Sequence, residues 1–394
     1  MKRLAMLMDG TWNKPEANTS VWRTKLLVAE MGADETRQVA YYREGVGSKW
    51  YTRFHGGAIG AGLSDNVTDA YGWLMEHYSE GDQVFLFGFS RGAFTARTLA
   101  GMIARCGLMH PGSPLSVGEV FQHYRDSKPG TAGAGRSLLD LIRLNNEEKS
   151  QLPQFDRWLL AHSRRIEIHF IGVWDTVGSL GIPLGAVRGL SKSNQFHNTN
   201  PSVLYRNMFQ ALAIDEHRSP YRANLWTGFQ PDGGELTMPK PNQRLEQRWF
   251  AGAHSNVGGG YRSDSLALVP LAWLQANAAE CGLEFKRTLP LTGDEHLGAT
   301  RDSFGEFLKG AYRLIRLGRR HYRPIGAEPR PTRTRPGLSH NLEETIDKSV
   351  ISRWQADPDY RPKNISDWAE AAGLDLDTLT LGGVDHMAAR PRSG

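Results

Sequence analysis

Between the apolar run Val84-Phe85-Leu86-Phe87 and a helix-like stretch from Ala93 to Arg105, the chain reads Gly88-Phe89-Ser90-Arg91-Gly92. A strand that turns sharply into a helix holds its middle serine in a strained conformation, with the hydroxyl raised above the sheet edge. Glycine two residues to either side leaves room for the two backbones to close on each other. Glycine is common in this chain, 43 of 394 residues, so the pentapeptide alone carries little weight. The strand before it and the helix after it make it informative, the alternative being an ordinary buried turn serine.

The rest of the chain repeats the same alternation. Leu4 to Met8 reads as a buried strand that stops at Asp9-Gly10-Thr11, and Ser64 is placed to cap a helix carrying Val67, Ala70, Tyr71, Leu74 and Tyr78 at helical spacing. Gly107 closes the helix that follows the serine. Residues 109–163 are polar and loop-rich, with short amphipathic pieces at Val120 to Tyr124 and Leu138 to Leu144, and they read as a helical insertion able to cover a site. Arg165 to Trp174 alternates and then becomes wholly apolar, as a central strand does, ending at Asp175. Leu204 to Ile214 reads as a helix leading into Asp215-Glu216-His217-Arg218, and Gln247 to Ala251 as a short strand before Gly252-Ala253-His254. Asp264 is placed to cap a helix from Ser265 to Ala278. The expected fold class is α/β, a mostly parallel sheet of the α/β-hydrolase kind with helices on both faces. Residues 1–310 are expected to form the catalytic domain, and residues 311–394 a basic segment packed back on it.

Composition narrows the function classes. With 40% hydrophobic residues the chain can bury a large core, and its two cysteines, Cys106 and Cys281, form neither a disulfide framework nor a thiolate metal site. Lys2 and Arg3 precede too short an apolar run for a secretory signal, and no later run reaches membrane-spanning length, so a reducing, cytoplasmic setting is the default expectation. The net charge of +5 is uneven: Arg313 to Arg335 holds eight arginines against one acid, Glu328. Such a stretch can meet lipid phosphates, although solvated surface arginines are its ordinary explanation. No nucleic-acid motif accompanies it, so no nucleic-acid partner is expected.

A serine hydroxyl is a poor nucleophile near neutral pH. It needs an imidazole to take its proton and a carboxylate to fix the imidazole's tautomer. Ser90, Asp175 and His254 supply these in the order of the α/β-hydrolases, each at the expected carboxyl end of a strand. Asp215 is the competing acid and His217 the competing base, both in a charged run where surface ion pairing is commonplace. One oxyanion donor is expected from the Arg91 amide and the second from the backbone of Gly10, Thr11 and Trp12, with Asp9 and Trp12 beside the substrate. Asp9-Gly10-Thr11 also echoes a phosphatase strand end, but Leu7 occupies the nucleophile position of that motif. A metal site drawn from Asp9, Asp65, Asp175 and His254 is a second alternative, since hard oxygen ligands need no set spacing.

Seven blocks carry a family resemblance: LMDGTWN (7–13), REGVGS (43–48), GDQVFLFGFSRGAFTARTLAGMI (81–103), VWDTVGS (173–179), ALAIDEHR (211–218), WFAGAHSNVGGGY (249–261) and, more faintly, KSVISRWQADPDYRPKNI (348–365). Together they resemble the α/β-hydrolase domain best known from phospholipase effectors of type VI secretion systems. The resemblance implies a Ser90–Asp175–His254 triad, ester cleavage on lipids without a cofactor, transient contact with a membrane surface, and export by a type VI system. A secretion-system or immunity protein is the implied partner. A non-catalytic interaction module on the same fold, or a metal-dependent phosphoesterase, are the alternatives.

Overall fold

The computed structural model describes residues 1–10, 13–45, 56–126, 135–178, 199–262, 264–332 and 335–390, with backbone alone at 56–63 and 308–309. Its strands begin with β1 (Lys2–Met8), β2 (Arg37–Arg43), β3 (Gln83–Phe89), β4 (Leu108–Met109), β5 (Ser163–Arg164), β6 (Ile168–Trp174) and β7 (Tyr205–Ala213). They continue with β8 (Thr227–Gln230), β9 (Arg244–Phe250), β10 (Arg330–Pro331), β11 (Leu338–Asn341), β12 (Glu344–Asp347) and β13 (His386–Ala388). Eight of them form the main sheet in the order β13-β12-β9-β7-β6-β3-β1-β2. Every pairing in it is parallel except β12 with β13.

Side chains alternate across this sheet, and each face buries its own helices. Leu4, Met6 and Met8 of β1 pack with Val67, Tyr71 and Leu74 of the helix Gly56–His77 and with Leu99 and Ile103 of the helix Arg91–Cys106. Ala5 and Leu7 face Val21 of the helix Ser20–Leu27 and Leu271 and Leu274 of the helix Leu268–Glu280. A period of two in the strand therefore serves two layers of period 3.6.

From β1 the chain moves outward to β2, then crosses back to β3 on the other side of β1, so the strand order reverses between β1 and β3. In an open parallel sheet such a switch point leaves a crevice at the carboxyl ends of the strands. The loop after β1 and the turn after β3 meet there. A Cβ placed on Gly10 would lie 3.2 Å from the Ser90 Cβ, and one on Gly92 would run into the Met8 carbonyl. The glycines of the serine turn are thus required by the backbones pressed against them.

Several sequence expectations need correction. Leu204 to Ile214 is not a helix but the central strand β7, paired with both β6 and β9. Its apolar run is short and buried on both faces, a pattern that periodicity cannot separate from a buried helix. The helix holding Val67 starts at Gly56, so Ser64 lies inside it, its carbonyl accepting from the Thr68 hydroxyl at 3.1 Å. The later helix starts at Leu268 behind Ala267 rather than at Ser265, while the Asp264 carboxylate accepts from the Ala267 amide ahead of it and from Asn256 at 3.3 Å.

Residues 109–163, expected to cover the site, leave the carboxyl end of the serine helix and re-enter ahead of β6, with β4 and β5 paired at their base. Leu115, Val120, Leu141 and Leu159 join the core beneath the helices Gly56–His77 and Arg91–Cys106. That places their described part at the amino-terminal edge of the sheet, opposite Ser90. Residues beyond 310 supply β12 and β13 to the main sheet and a third core cluster around Trp249, Ile346, Trp354 and Trp368. Among the described residues, no helix is long and apolar enough to cross a membrane.

Because the Met8 carbonyl is backbone and cannot swing aside, Gly92→Ala is expected to cost about 3 kcal/mol of stability by overpacking. Equilibrium denaturation should show a lower midpoint with an unchanged slope.

Candidate functional site

Ser90 sits between β3 and its helix with φ 59 and ψ −120, a region a non-glycine residue enters only when its surroundings force it. Its amide donates to the Trp174 carbonyl at 3.0 Å, tying the turn to the end of β6. Asp175, next along that strand, also has a positive φ of 43, and its amide donates to Ala211 of β7 at 2.7 Å. His254 opens the short helix His254–Gly258 just after β9. The carboxyl ends of β3, β6 and β9, the last two separated by β7, thus aim three side chains at one point.

The imidazole lies between the other two groups: Nε2 is 2.7 Å from Ser90 Oγ and Nδ1 is 2.5 Å from Asp175 Oδ2. Phe89 and Tyr221 flank the ring with centroids 4.7 Å and 5.1 Å away. A Cβ on Gly258 would collide with Phe89, so that glycine lets the phenyl ring reach its place beside the histidine. Glu216, fully buried, accepts from Arg218, from Ser303 Oγ at 3.0 Å and from the His254 amide at 3.4 Å. Arg218 in turn lies 3.6 Å from the centroid of the Tyr221 ring.

Sequence reasoning missed Arg323. It is 1% exposed, and its guanidinium reaches Asp175 Oδ1 at 2.5 Å and Oδ2 at 3.0 Å while also donating to the Ala213 and Tyr221 carbonyls. No sequence signal marks it, because it is 148 residues from its partner and sits in a basic run otherwise mostly exposed. Burial works against the Asp175 charge, but the charge of Arg323 and the bonds from His254 and Arg323 outweigh it and hold the carboxyl well below the usual range. Burial also pulls His254 below its ordinary 6.5, an effect that the bond and charge of Asp175 only partly oppose. At neutral pH the pair is therefore carboxylate and neutral imidazole, with Nε2 able to accept a proton from Ser90.

The competing residues lie elsewhere. Asp215 accepts from the Gly252 amide at 2.7 Å and from the Tyr360 hydroxyl at 3.2 Å, and His217 Nδ1 is 3.2 Å from the His321 carbonyl. Asp9, expected to touch substrate, is 2% exposed and bonded to the Thr19 hydroxyl at 2.7 Å, the Tyr42 hydroxyl at 2.9 Å and the Gly10 amide at 2.7 Å. Its carboxylate orders the loop after β1, and it also engages the Gly10 amide, the first expected member of the second oxyanion donor. Thr11 and Trp12 lie outside the described residues. The Arg91 amide begins the helix directly beneath Ser90. Asp9, Asp65, Asp175 and His254 do not fit a divalent cation, since Arg323 already neutralises Asp175 and hydroxyl and amide donors fill Asp9. Among the described residues, no three His, Cys, Asp or Glu side chains gather as ligands.

Comparison with known proteins adds a family. The family model described as "T6SS, Phospholipase effector Tle1-like, catalytic domain" matches residues 2–277. Uncharacterized protein YEL023C of Saccharomyces cerevisiae is 27% identical over an alignment of 247 residues that covers 57% of this chain and 33% of that protein. A crystal structure of an uncharacterized protein from Pseudomonas aeruginosa is similar at a TM-score of 0.39 and 14% identity, over 77% of this chain and 49% of that one. The structure of the Tle1 effector bound to the VgrG spike of the type VI secretion system gives 0.34 and 17%, over 66% and 51%. The chain spans about a third of the length of the yeast relative and about half of each solved chain.

Arg323→Met leaves Asp175 buried without a cation, held by the His254 ring and by the Ala213 amide at 3.0 Å, and is expected to lower stability by about 3 to 5 kcal/mol in denaturant unfolding. In the same variant the NMR titration of the His254 ring should move to higher pH, because the carboxylate charge then acts on the imidazolium alone.

Proposed function

This chain belongs to the family of Tle1-like phospholipase effector catalytic domains of type VI secretion, and from that premise we propose that it is a serine hydrolase cleaving carboxylic esters, with acyl esters of lipids or phospholipids as substrates. The observation that carries the reading is the His254 ring held between Ser90 Oγ at 2.7 Å and Asp175 Oδ2 at 2.5 Å, on a serine whose backbone is strained. That spacing is within hydrogen-bond reach on both sides, as a nucleophile and its base require.

In this mechanism Ser90 Oγ attacks the ester carbonyl carbon while His254 Nε2 takes the hydroxyl proton. Asp175 holds the Nδ1–H tautomer and stabilises the imidazolium. The carbonyl oxygen becomes an oxyanion, received by the Arg91 amide and by a second donor in the loop after β1. With the Gly10 amide engaged by Asp9, the Thr11 and Trp12 stretch is the proposed source of that donor. Collapse of the tetrahedral intermediate breaks the ester bond, and His254 returns its proton to the departing alcohol. Water then attacks the acyl-serine by the same route, releasing the fatty acid and restoring Ser90. The aromatic rings around His254 favour a lipid substrate over a small polar ester. The family description also points to export through type VI machinery, with a component of that machinery as partner.

Ser90→Ala is expected to lose roughly 10³- to 10⁶-fold in turnover with its melting temperature retained. A screen of phospholipids, neutral glycerides and short soluble esters, run beside that variant, tests reaction and substrate together. A fluorophosphonate should label wild-type Ser90; absence of labelling together with no hydrolysis of any ester would leave a non-catalytic module on this fold as the better reading, whereas hydrolysis surviving in Ser90→Ala would assign the chemistry to groups other than this serine.

The pH profile of kcat/KM should rise from acid to a plateau with its inflection below 6.5, the side to which burial moves His254. Gly10→Val would place a Cβ 2.8 Å from Asn13 Nδ2 and 3.2 Å from the Ser90 Cβ. It should lower kcat by about 100-fold, the loss typical of one oxyanion donor.

A further inference from the structure

Residues 303–323 leave the site and return to it. Ser303 Oγ is bonded to Glu216 at one end, while at the other the His321 amide donates to the His217 carbonyl at 2.9 Å and Arg323 clasps Asp175. Between these anchors Tyr312 is 1% exposed, its ring packed edge-on against Phe304 and Phe307 at 5.5 Å and 5.6 Å. Phe307 meets Tyr221 at 6.2 Å, and Tyr221 meets His254 at 5.1 Å. A ladder of rings therefore joins this excursion to the proposed catalytic histidine.

Its tip does the reverse of what a folded surface requires. Leu314 is 77% exposed, Ile315 53% and Leu317 82%, and Leu317 takes φ 49, a left-handed conformation costly for a leucine. Burial within the chain does not account for apolar side chains held out in this way. Arg313, Arg316 and Arg319 stand exposed around them and, among the described residues, in no ion pair, whereas Arg320 is bound to Asp302 at 2.7 Å and 2.9 Å. Branched apolar side chains ringed by guanidinium groups match one kind of surface, an acyl layer beneath a plane of phosphates.

We propose that the 313–319 tip docks the protein on an anionic phospholipid bilayer, with Leu314, Ile315 and Leu317 entering the acyl boundary and Arg313, Arg316 and Arg319 meeting lipid phosphates. The inference rests on the lipid reading above and deepens it: docking sets the Tyr221–Phe307 side of His254 toward the bilayer that holds the ester.

The test uses the full chain carrying Ser90→Ala, so that vesicles survive, in flotation with vesicles of phosphatidylcholine alone or mixed equally with phosphatidylglycerol. Binding is expected to the mixed vesicles and to fall about tenfold at high salt. Leu314→Asp with Leu317→Asp should weaken it at least about tenfold, and Arg313→Gln, Arg316→Gln and Arg319→Gln by roughly fivefold for each arginine removed. With Ser90 restored, the leucine pair should keep hydrolysis of a soluble short-chain ester and its melting temperature while losing hydrolysis of vesicle-borne lipid. Equal binding to neutral vesicles, undiminished binding by the leucine pair, or no binding at all would overturn docking; a protein partner would then better suit the tip. If the wild type cleaves no ester, the hydrolase reading fails, and the vesicle result still judges the surface by itself.

Discussion

Asp175 keeps a negative charge at 0% exposure because Arg323 brackets both of its oxygens and His254 takes one of them, and the rest of the site depends on that charge staying in place. Without a fixed cation beside it, a buried carboxylate draws a proton onto its neutral partner. His254 would then rest as imidazolium at higher pH, with no lone pair on Nε2 to accept the Ser90 proton. Arg323 prevents this at a cost in desolvation that further bonds to the Ala213 and Tyr221 carbonyls help to offset. The guanidinium also draws on charge that would otherwise favour imidazolium, which suits a histidine that must be neutral to act as a base.

The same contact explains why the segment beyond residue 310 belongs to the site. Arg323 is positioned by Asn364, whose side chain donates to the Arg323 carbonyl at 3.2 Å and to the Ile214 carbonyl at 3.1 Å. Asn364 stands on the helix Lys363–Ala372, which packs through Ile365 and Trp368 against Trp249 of β9 and Ile346 of β12. The charge at Asp175 is therefore secured by residues 148 and more positions further along the chain, and the far edge of the sheet acts on chemistry at its centre.

How much of this was legible depends on how local each cause is. The serine turn was readable because its constraint is confined to five residues: two glycines, a strand before and a helix after. Asp175 and His254 were readable through order and strand-end placement. β7 was misread because a strand buried on both faces loses its alternation, and its neighbours in the sheet, not its own composition, decide its form. The insertion at 109–163 was read correctly as helical pieces, but nothing in its residues says at which edge of the sheet they stand. Asp9 looks available to substrate as an acid beside a glycine turn, whereas Thr19 and Tyr42, 10 and 33 residues further on, occupy it.

The amino-acid sequence by itself determined the α/β class, the strained serine and the three residue types of the site, since those follow from backbone sterics, side-chain period and the chemistry of hydroxyl, imidazole and carboxylate. Tertiary structure alone decided that Arg323 braces Asp175, that Asp215 and His217 stand aside, and which edge of the sheet each connecting segment covers. The physical reason is that pairings between groups a hundred or more residues apart are set by sheet order and by the demand that every buried charge find a partner, and neither is written in any local run of residues.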